Sequence, residues 1–266
     1  MNESLIKYLA GLLDADGSLS FTFKEDINRP GNCFIGLRLS LAAANTVDKL
    51  GFVPSLPTLT GMGTLTIYKE QFITWFVSKR ADLEMLLPRL IKHMVIKAKH
   101  WQWLLDTWRL LRTDNNTITL NKRDELKEAS KTSRRINVGP IKPKNHPTWA
   151  WTAGYLDGDG SYSYRNHHGR WHIKVAACAH INDVSVLEFL QNAYGGTIAD
   201  HNKDGSNKLW TVNLGPKNKT FALNFLPKIY KHSRLKQEKI LKIIHHHQQR
   251  LSVLSVSDNV SDSLNT

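Results

Sequence analysis

Ala10-Gly11-Leu12-Leu13-Asp14-Ala15-Asp16-Gly17-Ser18-Leu19-Ser20 recurs 143 residues later as Ala153-Gly154-Tyr155-Leu156-Asp157-Gly158-Asp159-Gly160-Ser161-Tyr162-Ser163, with eight of eleven positions identical. The chain has 266 residues, so an offset near half its length implies duplication of a whole unit. Each copy closes an apolar helical run, Leu5, Ile6, Leu9, Leu12 and Leu13 in one, Trp149, Trp151, Tyr155 and Leu156 in the other. Gly17 and Gly160 are then expected as left-handed helix stops. The last turn of a helix favours Lys, Arg or His, because its carbonyls and dipole gather negative charge there. Here it holds Asp14 and Asp16, then Asp157 and Asp159. Carboxylates beside carbonyl oxygens repel one another unless a hard divalent cation, Mg2+ or Ca2+, sits among them. Ala10-Gly11 and Ala153-Gly154 lack bulk, so the two helices can cross closely about a pseudo-twofold axis and bring their acidic ends side by side. Two cation sites a few ångströms apart suit two-metal phosphodiester cleavage.

Outward from the motifs the two halves keep step. Leu19, Phe21 and Phe23 alternate with Ser18, Ser20, Thr22 and Lys24, the period of a half-buried strand, and Phe34–Leu41 follows as its partner. Ser161–Arg165 and Trp171–Ala177 repeat this pair. A short helix fits Thr46–Gly51, and a longer one Asn182–Tyr194. Second strand pairs are expected at Thr58–Thr60 with Thr64–Tyr68, and at Thr197–His201 with Lys208–Leu214 across Lys203-Asp204-Gly205-Ser206. Helices at Glu70–Val77, Leu83–Leu90 and Lys97–Leu111, then Thr220–Tyr230 and Lys236–Gln249, close the units. The expected fold class is α+β, two pseudo-symmetric units at 1–112 and 148–250. Between them, 113–147 is a polar, basic, proline-bearing linker with a short helix near Arg123–Ser130, and 251–266 reads as a disordered tail.

The net charge is +13, and the excess of Lys+Arg over Asp+Glu is +4 (14 against 10) in 1–112, +4 (8 against 4) in 113–147 and +5 (14 against 9) in 148–266. A basic tail on a neutral domain is excluded; an extended basic surface, matched by nucleic acid, is not. No apolar run reaches the ~20 residues of a membrane span, and the start lacks a basic n-region and apolar h-region. The expected place is therefore cytoplasm or an organelle matrix. Cys33 and Cys178 make neither a disulfide framework nor a four-ligand zinc site, and read as inert strand residues. In His245-His246-His247 consecutive side chains diverge around a helix, which does not build a metal site.

Leu9-Ala10-Gly11-Leu12-Leu13-Asp14-Ala15-Asp16-Gly17 resembles the signature of the LAGLIDADG homing endonucleases, with Leu13 in place of isoleucine, and Thr152–Gly160 is a looser second copy. Two motifs in one chain resemble the monomeric members. The resemblance implies αββαββα units whose antiparallel sheets form a saddle over the DNA major groove. It implies that Asp16 and Asp159 bind two or more catalytic metal ions, Mg2+ for cleavage, with Ca2+ supporting binding alone. The carbonyls of Ala15 and Gly158 would share in the coordination. It also implies a basic residue beside each scissile phosphate at the start of a final helix, a place held here by Lys97 and Lys236. Many members carry a water-ordering glutamine near the end of the second strand of each unit; here those stretches are Ala42-Ala43-Ala44-Asn45 and Ala177-Cys178-Ala179-His180.

The DNA surface is expected on the outward strand faces: Ser20, Thr22, Lys24, Arg38, Ser40, Thr66 and Tyr68 in the first half, and Ser163, Arg165, Arg170, His172, Lys174, Lys208, Thr211 and Asn213 in the second. Arg and Lys suit guanine, Asn suits adenine, and Ser or Thr serve base or phosphate. The halves differ at nearly every such position, so the expected partner is double-stranded DNA with a long, weakly palindromic site, bound by a monomer. A second reading on the same fold is an RNA maturase whose partner is host-intron RNA; a third is a non-catalytic DNA-binding regulator. Loss of a motif acid would favour either, and both acids are intact.

Overall fold

The computed structural model describes residues 1–44, 52–69, 72–111, 117–136, 147–167, 170–213, 219–246 and 248. Helix α1 (Glu3–Asp16) leads into strands β1 (Gly17–Glu25) and β2 (Asn32–Ala44). A 3-10 turn and the short α2 (Leu56–Thr60) precede β3 (Thr64–Tyr68) and β4 (Phe72–Val77), then α3 (Arg80–Ile91) and α4 (Ala98–Leu110). The intervening chain supplies β5 (Thr117–Thr119) and α5 (Leu120–Ile136). The second half runs α6 (Trp149–Gly158), β6 (Gly160–His167), β7 (Arg170–His180), α7 (Val184–Tyr194), β8 (Thr197–Asp200), β9 (Asn207–Asn213), α8 (Lys219–His232) and α9 (residues 237–246). The architecture is α+β, and its two antiparallel sheets share one order, β1-β2-β4-β3 and β6-β7-β9-β8. β5 adds to the far end of β2 by pairing Asn32–Phe34 with Thr117–Thr119.

Register fixes which residues share a face. Leu19↔Leu39, Phe21↔Leu37 and Phe23↔Ile35 turn one way, and Ser20↔Arg38, Thr22↔Gly36 and Lys24↔Phe34 turn the other. The apolar face packs against α4 and α1, where Leu19, Leu37, Leu39, Trp75 and Trp101 are buried. Tyr162, Ile173, Val175 and Trp210 do the same in the second sheet. The indole of Trp75 donates to the Met62 carbonyl at 3.0 Å, and that of Trp210 to the Gly195 carbonyl at 2.8 Å. Each thus fastens the turn before the third strand of its sheet. Gly63 (φ 80°) and Gly196 (φ 95°) complete those turns, in a conformation that disfavours any side chain.

Four expectations are corrected. The helix expected at Glu70–Val77 is replaced over its described part: Phe72–Val77 is strand β4, with Ile73, Trp75 and Val77 buried at alternate positions. Thr58–Thr60 is not a strand but part of α2, whose entry is set by Pro57 in the first turn. The helix near Arg123–Ser130 spans the longer stretch Leu120–Ile136. Gly17 is extended (φ −78°, ψ 152°), not left-handed, and Gly160 is absent from the positive-φ residues. Crowding requires glycine there: a Cβ on Gly17 would lie 2.6 Å from the Leu13 Cα, and one on Gly160 2.5 Å from the Leu156 carbonyl oxygen. The expected Thr46–Gly51 helix and the 251–266 tail lie outside the described residues.

Candidate active site

Helices α1 and α6 start at side-chain caps: Asn2 Oδ1 accepts the Leu5 N–H at 2.8 Å, and Thr148 Oγ1 accepts the Trp151 N–H at 3.2 Å. They cross back to back at the duplicated glycines. A Cβ on Gly11 would lie 2.0 Å from the Trp151 carbonyl oxygen, and one on Gly154 would lie 2.0 Å from the Tyr8 carbonyl oxygen. Main chain touches main chain, so no larger residue fits. Tyr8 and Trp151 are themselves 143 apart, and each reaches across the axis to the first acid of the other motif. Tyr8 Oη donates to Asp157 at 2.8 Å, and Trp151 Nε1 donates to Asp14 at 2.9 Å.

The first acids therefore do not sit beside the second ones around a cation. Asp14 is buried and accepts the backbone N–H groups of Val95 (2.7 Å), Ile96 (3.2 Å) and Lys97 (2.9 Å). Asp157 is buried and accepts Ser233 Oγ (2.7 Å) and the N–H groups of Arg234 (2.7 Å) and Leu235 (2.9 Å). Each thus ties the loop entering α4 or α9 to its motif helix, answering the orphan donors of that helix start. Burial raises the Asp14 pKa, opposed by these hydrogen bonds. Sequence reading missed these roles, although Tyr8 and Trp151 are both donors at matched repeat positions.

The anomaly of an acidic helix end without a cation is resolved by distant lysines. Lys97 Nζ donates to the carbonyls of Leu13 (3.0 Å), Ala15 (3.0 Å) and Gly17 (2.8 Å), which accounts for its three N–H groups. Lys236 Nζ repeats this on Leu156 (2.7 Å), Gly158 (3.3 Å) and Gly160. Burial lowers the Lys97 pKa, and the carboxylates of Asp14, Asp159 and Asp16 pull it back up.

Asp16 ends α1 and Asp159 follows α6, both exposed to solvent. Asp16 Oδ2 is 3.1 Å from where a Cβ on Gly158 would sit, and the Ala15 methyl is 2.5 Å from that point. Glycine in one motif makes room for alanine in the other, and the two acid-bearing chain ends touch. Although open to water, Asp159 is crowded by protein: desolvation first, then the charge of Asp16, push its pKa to about 6, against Lys97 and Lys236. Two carboxylates held together at such a cost favour a shared cation. Among the described residues no cluster of three or more His, Cys, Asp or Glu could hold a metal ion. A cation here would therefore take Asp16 and Asp159 plus oxygens from main chain, such as the carbonyls of Ala15 and Gly158, water and a bound phosphate. That all-oxygen set fits Mg2+ or Ca2+.

On either side of this centre lie the polar sheet faces. Ser20, Thr22, Lys24, Arg38 and Ser40 share one face of β1–β2, and register continues it through Thr66 and Tyr68. The Arg38 guanidinium lies 5.3 Å from the Phe76 ring centroid. Phe72 and Phe76 lie on this face as well, in a stretch whose apolar density reads as helix from the sequence alone. In the second sheet Ser163, His172, Lys174 and Thr211 share the corresponding face. Arg165, Arg170 and Asn213 hold strand positions, and their side chains lie outside the described residues. Lys208 departs from expectation. It alternates with Leu209, placing it with buried Trp210 and Val212 on the opposite face, and it pairs with Asp200.

Two crossing glycine-bearing helices that deliver paired acids between two matched sheets define the LAGLIDADG homing-endonuclease fold. Solved structures of that fold resemble this chain over nearly its whole length. I-SmaMI bound to an uncleaved DNA target in the presence of calcium ions has a TM-score of 0.66 at 16% identity, covering 94% of this chain and 92% of its own. I-GzeII in complex with its DNA target has a TM-score of 0.64 at 13% identity, with 91% of each chain covered. I-SmaMI bound to cleaved DNA has a TM-score of 0.64 at 16% identity, covering 97% of this chain and 94% of its own. No protein-family model and no curated protein matches the sequence. Among the described residues no helix is long and apolar enough to cross a membrane.

Proposed function

We propose that the chain is a LAGLIDADG homing endonuclease, a monomer that cuts both strands of a long, weakly palindromic DNA site with a divalent cation, Mg2+ in the working enzyme. The observation that carries this reading is the contact of Asp16 with the Gly158–Asp159 turn. It draws together carboxylates from opposite halves, near enough for the charge of Asp16 to raise the Asp159 pKa. The units at 1–112 and 148–250 would each supply one face and one acid, and 113–147 would join them. Asp16 and Asp159, with the carbonyls of Ala15 and Gly158, would hold the cations. When bound, these would activate water and neutralise charge on the scissile phosphates. Lys97 and Lys236 hold those carbonyls in place and add positive charge where the cut phosphates would lie. Ser20, Thr22, Lys24, Arg38, Ser40, Thr66, Tyr68, Ser163, Arg165, Arg170, His172, Lys174, Thr211 and Asn213 would line the groove. No feature of the described residues favours the RNA reading.

Incubation with a randomised-site plasmid library and Mg2+, followed by sequencing of the ends, would identify the site. Asp16→Asn and Asp159→Asn should each abolish double-strand cleavage while binding in Ca2+ persists. Full activity of either variant would overturn the reading.

A further inference from the structure

Two clefts at the motif ends are built from different parts of the chain. One, of about 590 Å3, is lined by Lys97 from the first half, Asp159 and Asp183 from the second, and Arg134 from α5. The other, of about 610 Å3, is lined by Lys236, Arg234 and Lys239, and among the described residues by none of α5. Arg134 is also set apart from the other α5 cations whose side chains are described. Lys122, Arg123, Lys127 and Lys131 each pair with a carboxylate of α5 itself. Arg134 is exposed and makes no ion pair among the described residues.

Its position is anchored. β5 ties the start of α5 to β2, Leu126 is buried, and the Lys127 ammonium lies 5.8 Å from the Phe23 ring centroid. One residue before Arg134, Ser133 Oγ is 2.6 Å from Nδ1 of buried His100, which stands one turn along α4 from Lys97. An unpaired guanidinium held at the mouth of a cleft that contains a lysine and a metal-type carboxylate matches a phosphodiester oxygen pair, which it can grip with two N–H groups.

We propose that Arg134 grips the backbone phosphate of the strand entering the Asp159–Lys97 cleft, so that the linker helix serves one DNA strand and not the other. This rests on the endonuclease reading and deepens it.

The test uses the full chain and a duplex carrying the selected site, with each strand end-labelled separately. Arg134→Ala should slow cutting of one strand by about tenfold, the size of one lost charge-assisted contact, and leave the other within about twofold, so that nicked duplex accumulates. The slowed strand should be the one that Lys97→Ala slows more than Lys236→Ala does. Arg134→Lys should recover part of the rate, and Lys131→Ala should leave the strand ratio unchanged. Binding of a random-sequence 40-base-pair duplex in Ca2+ should lose about one from its salt slope in Arg134→Ala. Equal slowing of both strands, or an unchanged ratio, overturns the proposal. If the wild type binds duplex but cuts no site, the endonuclease reading fails, and the slope alone decides the phosphate contact: an unchanged slope overturns it.

Discussion

The two halves agree closely at their shared axis and part company at its margins. Tyr8 and Trp151, Gly11 and Gly154, Asp14 and Asp157, and Lys97 and Lys236 make matched contacts in matched places. At the helices that carry the lysines the match ends. In α4, buried His100 stacks near Trp103, with ring centroids 6.4 Å apart, and α5 packs there through Ser133. At the same offset from the lysine, α9 carries Lys239, exposed, and Lys242, which pairs with Glu238. Contacts between halves constrain both copies together, because a change in one must be met in the other. A helix flank answers only to whatever covers it. Helix α5 covers one flank, which accordingly carries aromatic and neutral groups, while the other carries charge.

The strongest test of the matched axis is to fill a glycine. Alanine at Gly11 or Gly154 places a Cβ 2.0 Å from a backbone oxygen, and backbone cannot rotate aside as a side chain can. Either change should cost more than about 4 kcal/mol or prevent folding. Chemical denaturation of the two variants should give equal losses; a tolerated alanine at one of them would mean the axis is not symmetric.

The buried acids come next and sharpen the comparison. Asp14→Ala strands three backbone N–H groups and the Trp151 indole, whereas Asp157→Ala strands two N–H groups and the hydroxyls of Ser233 and Tyr8. Hydroxyls can turn to another acceptor, and N–H groups fixed in the main chain cannot. Both should destabilise by roughly 3–5 kcal/mol, with Asp14→Ala the worse. Urea midpoints at unchanged m-value report the order, and a larger loss at Asp157 would contradict this account.

Much of this was legible in the residues. The duplicated motif, spaced at half the chain, gave the pseudo-symmetry, and small pairs at its centre pointed to a close helix crossing. Period-two patterns located β1, β2, β6 and β7. What escaped depended on partners distant in sequence. Asp14 looked like a metal ligand because the N–H groups it caps lie more than 80 residues away. Phe72–Val77 is so densely apolar that its alternation shows only once Trp75 is known to be buried and Phe72 exposed. Lys208 was placed by charge alone, and one residue of register moved it to the other face. Gly17 and Gly160 were assigned to the correct boundary for the wrong reason, conformation instead of crowding.

The smallest expected effect probes the margin where the halves differ. Burial, then the charges of Arg134 and Lys97, lower the His100 pKa from 6.5 to about 4, and its Nε2 finds no partner among the described residues. In the unfolded chain the same ring titrates near 6.5. Between about pH 6.5 and pH 4 the unfolded state therefore binds a proton that the folded state refuses, so stability rises with pH across that window and is lost on acidification. His100→Gln keeps a polar side chain without the titration, and so should shed this part of the acid sensitivity. The gap between wild type and variant should then shift by roughly 2–3 kcal/mol between about pH 7 and pH 4.5, since about two units of the pKa gap are crossed and one unit is worth about 1.4 kcal/mol. Lys239→Gln, at the matching place on α9, should produce no such shift, because that side chain is exposed instead of sealed under another helix. Urea unfolding of the three proteins across this pH range makes the comparison. Parallel curves for wild type and His100→Gln would show that His100 takes up its proton in the folded protein as readily as in the unfolded one, and that α5 does not seal this flank.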